Sequence, residues 1–308
     1  HDAYLQRGSL ERLADHSRPL SIPWPAEARD LFVELLACGP AAIPVIEDLD
    51  HVGLFVLLLP EWEPCRSRPQ RNAYHRFTVD RHLMEAAAEA SRLVDRVDRP
   101  DLLLVGALLH DIGKGYPGDH TEVGVDLMRT ISSRMGFSGA DTDLLVAMVE
   151  HHLLLPDVAT RRDLDDDGTI RSVADALGSI RLLELLGALT EADSIATGPS
   201  AWSSWKGDLV HELVDRTRHV LSGGDVGEVL GGSFPDAGQR VLLDEGGFVV
   251  RGEGSTLTVV ADDRPGTFSK VAGVLSLNGA DVQDAAAHSE NGRALSVFRV
   301  GQVLGGTP

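Results

Sequence analysis

Apolar residues recur at three- and four-residue spacing along most of the chain between Asp80 and His219. This spacing puts them on one face of an α-helix, so that several helices can bury a common core. The pattern predicts helices, and no strand between them, at residues 80–97, 101–111, 119–135, 140–153, 170–177, 180–196 and 203–221. The middle of the chain is therefore expected to be a helical domain.

The segments on either side of this region differ in composition. Helical spacing also occurs between Pro25 and Leu49, and the prolines that begin at Pro60 predict a loop or wrapping segment. Glycines cluster after Leu221, and beyond them strand patterns flank a predicted helix, at residues 256–261, 267–277 and 294–300. The predicted organisation is a helical lead-in and wrapping segment (1–70), a helical domain (71–221), a glycine-rich linker with short strands (222–253) and a small α+β domain (254–308).

Composition argues against several classes of function. With 47 acidic and 28 basic residues the net charge is −19, which disfavours a nucleic-acid partner because the mean field repels polyanions. No apolar run approaches the roughly 20 residues that span a bilayer, so no membrane partner is expected. Cys38 and Cys65 have no CxxC spacing, which fits a reducing cytoplasm and excludes a thiolate zinc site. The first residue is His1 rather than methionine, which suggests a fragment or processed chain.

The segment 108–114, LLHDIGK, carries the clearest chemical signal. His110 and Asp111 end an apolar helix and offer an imidazole nitrogen and a carboxylate oxygen to one cation, while Gly113 should let the backbone turn away. The alternative is a helix end with a polar pair and a C-terminal glycine. The dipeptide alone does not decide between these interpretations.

Other side chains of the ligand type lie on separate predicted helices. His82 opens one helix, and Asp193 lies within an apolar helix, where a carboxylate is costly to bury unless it is paired or bound to metal. His120 and the pair His151-His152 extend the set. Alternatively, His120 is a solvent-exposed residue at a helix start, and the pair is held by backbone carbonyls.

The order of a histidine, a His-Asp pair and an aspartate on successive helices resembles the HD metal-dependent phosphohydrolase superfamily. The resemblance implies that His82, His110, Asp111 and Asp193 bind a divalent ion, with Mn, Mg, Fe and Zn as the candidates. In members with a second metal, a later histidine and a His-His pair complete the site, which implies His120 and one or both of His151 and His152. Asp111 and Lys114 are the expected catalytic residues, although Lys114 is alternatively only an exposed lysine.

Further motifs are similar to those of the bifunctional PII uridylyltransferase/uridylyl-removing enzyme family. They are HRFTVDRH at 75–82, EADSIATGP at 191–199 and AWSSWK at 201–206. The resemblance implies that the HD domain hydrolyses a nucleotidyl group, UMP or AMP, from a tyrosine of the signalling protein PII. No Gly-Ser followed by Asp-x-Asp is present, so the transferase half is expected to be absent. Within these motifs His75 is a candidate hydrogen-bond partner of a metal ligand or a candidate substrate contact. The two tryptophans of the last motif are alternatively core aromatics.

The C-terminal segment LTVVADDRPGTFSKVA at 257–272 resembles an ACT domain, the ferredoxin-like βαββαβ module that senses amino acids. The resemblance implies glutamine or another amino acid as effector. Asp262, Arg264 and Gly266 are the candidate effector-binding residues, because they lie in the turn before a helix whose amides can receive a carboxylate. The second helix and final strand of the module are not evident, so the domain is expected to be incomplete.

Two other functions remain open at this point. One is a different HD hydrolase, a nucleotidase or cyclic-nucleotide phosphodiesterase, with an ACT sensor attached. The other is a non-catalytic regulatory module whose metal only holds the helices together. The acidic run Asp163, Asp165, Asp166 and Asp167 is interpreted as a solvated loop, with a cation site as the less favoured alternative.

Overall fold

The computed structural model describes residues 6–70, 76–225, 235, 237–245 and 247–301, and the chain divides into two compact units, His1–Gly227 and Glu228–Pro308. The first unit is helical, and the second is built on a sheet. This composition confirms the predicted fold class of a mainly helical protein with a small α+β domain at its C-terminal end. No strand occurs in the described part of the first unit.

Twelve α-helices form the described part of the helical unit. They are α1 (Arg7–His16), α2 (Ala26–Ala37), α3 (Ala42–His51), α4 (Leu54–Leu58), α5 (Val79–Ala90), α6 (Pro100–Leu109), α7 (His120–Arg134), α8 (Gly139–His151), α9 (Leu154–Arg161), α10 (Asp167–Leu177), α11 (Ile180–Thr197) and α12 (Ser204–Leu221). Short 3-10 segments at Pro60–Cys65 and Ile112–Gly115 flank the region where the helices meet. Among the described residues, no helix combines the length and apolar character that crossing a bilayer requires.

Helix α6 is the centre of this unit. Every residue from Leu102 to Leu109 is buried, so the helix is apolar on all sides and is enclosed by its neighbours. Helices α5, α8 and α11 pack against it. The C-terminal end of α6 therefore lies inside the protein, together with the His110-Asp111 pair that follows it.

The sequence pattern missed or misplaced some helix ends. The helix predicted at 80–97 ends at Ala90, where the hydroxyl of Ser91 donates a hydrogen bond to the Ala88 carbonyl, and only a 3-10 turn follows at Val94–Arg96. Helix α9 was not predicted. Its Pro156 lies in the first turn, where a proline costs no helical hydrogen bond.

The lead-in segment packs directly on the helical core. Phe55 stacks against Phe32 at 6.3 Å and meets Trp62 edge-on at 5.0 Å between ring centroids. Glu61 forms an ion pair with Arg134 of α7, and the thiol of Cys65 donates to the Ile112 carbonyl at 3.3 Å. The segment Pro60–Cys65 thus supports the turn Ile112–Gly115 from behind.

The acidic loop before α10 is held by protein partners. Asp166 caps α10 by accepting from the Thr169 amide, and Asp167 pairs with Arg171 on the same helix. Asp165 pairs with Arg216 of α12, and Asp163 accepts from the Asp165 amide. Among the described residues these aspartates form no metal-binding group, so the solvated-loop interpretation fits the structure.

The second unit contains an antiparallel sheet in the order β1-β2-β4-β3. Its strands are β1 (Val249–Glu253), β2 (Thr256–Asp262), β3 (Val282–Glu290) and β4 (Arg293–Val300), and its helices are α13 (Ala237–Glu245) and α14 (Thr267–Leu277). The predicted helix at 267–277 and the strands at 256–261 and 294–300 are present. Strands β1 and β3 and helix α13 were not individually predicted.

The two helices in the described part of this unit lie on opposite faces of the sheet. Leu242 and Leu243 of α13 pack with Val260 and Leu295, which are paired across β2 and β4. Phe268 of α14 stacks on Phe298 at 5.1 Å, and Phe298 is three residues from Leu295 on the same strand. Since side chains alternate between faces along a strand, Phe298 and Leu295 point to opposite sides. Helix α13, from the segment interpreted as a linker, therefore covers the face that α14 leaves open.

A tryptophan pair tests how much the lead-in contributes to the helical unit. Trp62 is fully buried, whereas Trp205 is 59% exposed. We expect Trp62→Ala to lower the free energy of unfolding by about 3–5 kcal/mol, because it leaves a large cavity, and Trp205→Ala to change it by less than about 0.5 kcal/mol. Denaturant unfolding followed by the helical circular dichroism signal measures both values. Equal effects of the two substitutions would show that the lead-in is not part of the core.

Candidate metal centre

The His-Asp pair is placed by the end of the buried helix α6. His110 is the C-cap residue of α6, and Asp111 begins the 3-10 turn Ile112–Gly115. Both side chains are almost fully buried. A buried imidazole and carboxylate need partners, so the groups around them decide what this site can do.

The first group of ligand-type atoms contains His82, Asp193 and the His110-Asp111 pair, and it includes Oδ2 of Asp111. His82 of α5 and Asp193 of α11 approach each other, with 3.0 Å between Nε2 and Oδ1. His110 Nε2 lies 3.4 Å from Asp193 Oδ1 and 3.3 Å from Asp111 Oδ2, and His82 Nε2 lies 3.9 Å from Asp111 Oδ2. Two imidazoles and two carboxylates from three segments of the chain thus meet within the dimensions of one cation site.

A second group shares the other oxygen of Asp111. His152, the C-cap residue of α8, places Nε2 3.5 Å from Asp111 Oδ1, and His120, the first residue of α7, places Nε2 3.7 Å from it. One ligand atom from each of Asp111, His120 and His152 lies within 4.8 Å of the others, as in the group His82, His110 and Asp111. Asp111 therefore belongs to both groups, one through each oxygen.

The imidazole rings are oriented with one nitrogen towards the cluster. Nδ1 of His110 lies 2.9 Å from the Ala107 carbonyl, and Nδ1 of His152 lies 2.7 Å from the Val149 carbonyl. Because a carbonyl only accepts, Nδ1 carries a proton in both rings, and Nε2 is the nitrogen that presents a lone pair when the ring is neutral. This tautomer is the one that histidine uses as a metal ligand through Nε2.

Two buried atoms of the cluster lack hydrogen bonds within the described part of the chain. They are His110 Nε2 and Asp111 Oδ1. Buried polar atoms without a hydrogen bond are rare and call for an explanation such as an ion. The mixed imidazole and carboxylate set suits several divalent metals. The residues present therefore fit a divalent metal, and they do not specify which one.

Electrostatics in the cluster couple these groups strongly. Burial lowers the pKa of His110, but the charges of Asp111 and Asp193 raise it to about 10. Burial raises the pKa of Asp111, but His110, Lys114 and His152 hold it well below its usual range. The pKa of His152 is lowered by burial, which the charge of Asp111 only partly opposes. Without a metal, the cluster therefore holds a proton at His110.

Gly113 allows the group of Asp111, His120 and His152 to form. It does so by leaving space for a neighbouring helix, and not by the special backbone turn that the sequence suggested. Its backbone is not in the left-handed region within the described chain. A Cβ added at Gly113 would lie 1.9 Å from the His120 carbonyl oxygen and 2.8 Å from the Gly124 amide nitrogen. Only a glycine therefore lets the start of α7 pack against the turn after Asp111.

A cleft of about 1130 Å³ opens over the cluster. Asp111, His120, His152 and Asp193 all line it. Its other charged and hydroxyl-bearing lining residues include Arg68, Lys114, Asp157, Thr197, Ser200 and Lys206. Lys114 Nζ contacts Asp111 Oδ2 and donates to Gln70 Oε1 at 3.3 Å, so it lies beside the cluster.

Some residues singled out by the sequence lie elsewhere. His151 belongs to neither ligand group, whereas its neighbour His152 belongs to the second one. His75 is outside the described residues. The interpretation of both tryptophans at 202 and 205 as core aromatics is wrong for Trp205, which is largely exposed. Asp262, Arg264 and Gly266 lie in the sheet unit, where Arg264 pairs with Asp262 at 3.0 Å and Gly266 begins α14 with a φ of 84°.

Sequence reasoning assigned no role to Lys206 or Arg68, although both line the cleft. One signal pointed to Lys206. The chain contains only three lysines, Lys114, Lys206 and Lys270, among its 28 basic residues.

Comparison with known proteins agrees with this geometry. Residues 79–180 match the HD domain family, and this range includes His82, His110, Asp111, His120 and His152. The bifunctional uridylyltransferase/uridylyl-removing enzyme of Streptomyces coelicolor is 57% identical over 219 residues, which are 71% of this chain and 26% of that protein. The Mycobacterium tuberculosis protein of the same name is 46% identical over 307 residues, 97% of this chain and 38% of that protein.

These matches confirm the resemblance to the uridylyltransferase/uridylyl-removing enzymes. A more distant protein of the same name, from Gluconobacter oxydans, is 32% identical and is matched by 97% of this chain and 39% of its own length. The chain thus spans between about a quarter and two fifths of the curated relatives it matches. The HD domain and the buried His/Asp cluster together support a metal-dependent hydrolase.

The contact at Gly113 gives a test of the second ligand group. In Gly113→Ala the new methyl group must displace the start of α7 and with it His120, so we expect the protein to lose metal. The matched control is Gly139→Ala, because a Cβ there meets no atom within 4 Å. Elemental analysis of protein loaded with manganese measures the stoichiometry. Equal metal content in the two variants would show that His120 does not hold an ion.

The raised pKa of His110 gives a pH dependence of metal binding. At pH 8 the metal-free cluster carries a proton on His110, since its pKa is about 10. A metal ligand must be unprotonated, so binding should release about one proton per chain, and affinity should fall as the pH falls, by up to about tenfold per unit below pH 10. Calorimetry of Mn²⁺ binding in two buffers with different ionisation enthalpies counts the protons. Binding without proton release would contradict the assigned charge state.

Proposed function

We propose that this chain is a metal-dependent phosphodiester hydrolase that removes a nucleotidyl group, UMP or AMP, from the signalling protein PII. The observation that carries the proposal is the position of Asp111, whose two oxygens face separate ligand groups. A carboxylate shared between two cations is a recurrent arrangement in phosphoester hydrolysis. The names of the relatives, which include uridylyl removal, supply the reaction.

Each group in the cluster has a proposed role. His82, His110 and Asp193 would hold one cation, His120 and His152 a second, and Asp111 would bridge them. Bound divalent cations would supply water activated near neutral pH and would offset negative charge at phosphorus. Lys114, now paired with Asp111, would become available to a phosphoryl oxygen once cations neutralise that carboxylate.

The reaction consumes one water molecule and forms two products. The bond between phosphorus and the tyrosine oxygen breaks, and a new bond forms between phosphorus and the oxygen of water. The phenol is regenerated on PII, and the nucleoside monophosphate leaves. The described residues of the cleft therefore need only to bind metal, orient the phosphodiester and stabilise charge, and no protein nucleophile is required.

The dimensions of the cleft support a protein-linked nucleotide as substrate. Its volume of about 1130 Å³ exceeds the roughly 300–1,000 Å³ that is usual for small-molecule sites. A nucleotide together with the tyrosine that carries it is larger than a free nucleotide. Ser200 lines the cleft with a hydroxyl that can hydrogen-bond to a sugar or base. The Thr197 hydroxyl, which also lines the cleft, donates to Asp193 Oδ1 at 3.5 Å and can still accept a hydrogen bond.

Regulation by an amino acid is a separate part of the proposal. The turn Asp262–Gly266 lies between β2 and α14, and Asp262 is contacted by Arg264 and by Arg293 of β4. An amino acid carries a carboxylate and an ammonium group. The arginines could bind the carboxylate, and Asp262 could bind the ammonium group. We propose glutamine as this effector, on the resemblance of the segment to an ACT domain.

Substitution of Asp111 tests the hydrolase. Asp111→Asn keeps the side-chain shape but removes the charge shared by both ligand groups, so release of nucleotide should fall by at least about a hundredfold. The matched control is Asp143→Asn, on the exposed face of α8, which should behave as the unmodified chain does. Mass spectrometry of uridylylated and adenylylated PII, incubated with the chain and Mn²⁺, measures the release.

The controls separate the competing functions. Release from free nucleotides or cyclic nucleotides, with none from modified PII, would identify a different HD hydrolase. Metal binding with no release from any of these substrates would favour the non-catalytic module. Near-normal release by Asp111→Asn, with metal content and circular dichroism unchanged, would remove Asp111 from the reaction.

A further inference from the structure

Two of the three lysines in the chain line the same cleft. Arginine supplies the other 25 of the 28 basic residues, and within the described chain most arginines of the helical unit pair with carboxylates. Lys114 and Lys206 both face the cleft over the metal cluster. Lysine is rare in this chain, and two of its three lysines lie at this cleft. This placement indicates a role there that a lysine can fill and an arginine cannot.

The two lysines differ in what balances their charge. Lys114 is in direct contact with the carboxylate of Asp111. Lys206 Nζ donates to two neutral acceptors, the Ala201 carbonyl at 2.9 Å and the Ser194 hydroxyl at 3.3 Å. Among the residues that the structure describes, no carboxylate lies within ion-pair distance of Lys206. Within that part of the chain, its partly buried charge therefore has no direct counter-ion.

Lys206 lies close to the cluster of histidines and aspartates. Ser194, its hydrogen-bond partner, follows Asp193 on α11, and both residues line the cleft with Lys206. Asp193 and Asp157 act on Lys206 only at a distance. Cations held by Asp111 and Asp193 would offset the nearest of these negative charges. The cleft would then present a free ammonium group beside the metals, and an anion is the complementary ligand.

We propose that Lys206 binds a non-bridging oxygen of the substrate phosphodiester and so positions it over the metal cluster. This inference rests on the function proposed above. The ammonium group of lysine is a compact point charge that can turn between acceptors, whereas a guanidinium is a wide planar fork. Between Ser194 and Ala201 the ammonium can release one neutral acceptor and take a phosphoryl oxygen in its place.

Binding of simple phosphates by the full chain loaded with Mn²⁺ tests the inference. The probes are inorganic phosphate and UMP, measured by calorimetry. We expect Lys206→Met to weaken both affinities by about tenfold to a hundredfold, because it removes a hydrogen bond to a charged group. Manganese content should stay unchanged. The matched control is Lys270→Met, which removes the same charge from an exposed position on α14 and should bind both probes as the unmodified chain does.

A second variant separates charge from structural support. Lys206→Arg keeps the positive charge and should recover part of the lost affinity, although its larger head group fits the two acceptors less well. If Lys206 only fastens Ser194 to Ala201, Lys206→Met will lower thermal stability and leave phosphate affinity unchanged. That result, or equal losses in Lys206→Arg and Lys206→Met, would overturn the inference.

The small number of lysines also permits a measurement on the unmodified chain, for which a variant is needed only to assign the signals. Selective isotope labelling of lysine gives three side-chain signals in NMR spectra, and Lys206→Arg identifies the one from Lys206. Adding inorganic phosphate to the chain loaded with diamagnetic Mg²⁺ should shift the Lys206 signal and leave that of Lys270 in place. An unmoved Lys206 signal at saturating phosphate would overturn the inference, as would failure of the unmodified chain to bind either probe.

The outcomes also distinguish this inference from the proposed function. If phosphate binding depends on Lys206 but modified PII is not hydrolysed, the role of Lys206 stands and the substrate is wrong. If modified PII is hydrolysed and Lys206→Met retains normal phosphate affinity and normal KM and kcat, the substrate stands and the role of Lys206 is wrong.

Discussion

The arrangement of the helical unit depends on the burial of the Asp111 carboxylate among four imidazoles and a lysine. Burial of an isolated carboxylate is strongly unfavourable, so Asp111 can occupy this position only because positive or metal-binding groups surround it. Those groups come from α5, the ends of α6 and α8, the start of α7 and the turn Ile112–Gly115. The helices that enclose the core therefore also bring the ligands together, so the same packing contacts that bury the core position the site.

Support for this site comes from close contact rather than from a special backbone turn. Gly113 has no side chain, and the start of α7 occupies the space where one would be. Behind the same turn, Cys65 donates to the Ile112 carbonyl, and Glu61 joins the preceding segment to Arg134 of α7. The segment Pro60–Cys65 thus has a structural role. It holds the turn after Asp111 so that His120 and His152 reach the second oxygen of that carboxylate.

In the sheet unit the need to bury apolar residues on both faces of the sheet explains the presence of helix α13, which the sequence did not predict. A four-stranded sheet has two faces, and apolar residues alternate between them along β2 and β4. Phe298 meets α14, whereas Val260 and Leu295 need a second cover. Helix α13 supplies it through Leu242 and Leu243, from a stretch whose glycines predict a linker. Much of α14 and β3 stays exposed, including Leu277 at 89%.

The sequence by itself determined the helical class, most helix positions and the identity of the ligand-type residues, because these depend on local spacing and on the chemistry of single side chains. It also determined the resemblance that relates the chain to the uridylyl-removing enzymes. Only the tertiary structure decided that His152 and not His151 faces Asp111, that Trp205 is exposed, and that Lys206 has no carboxylate partner among the described residues. These outcomes depend on how helices rotate and meet, and adjacent helical residues differ by about 100° in direction, so only packing selects which of them points inward.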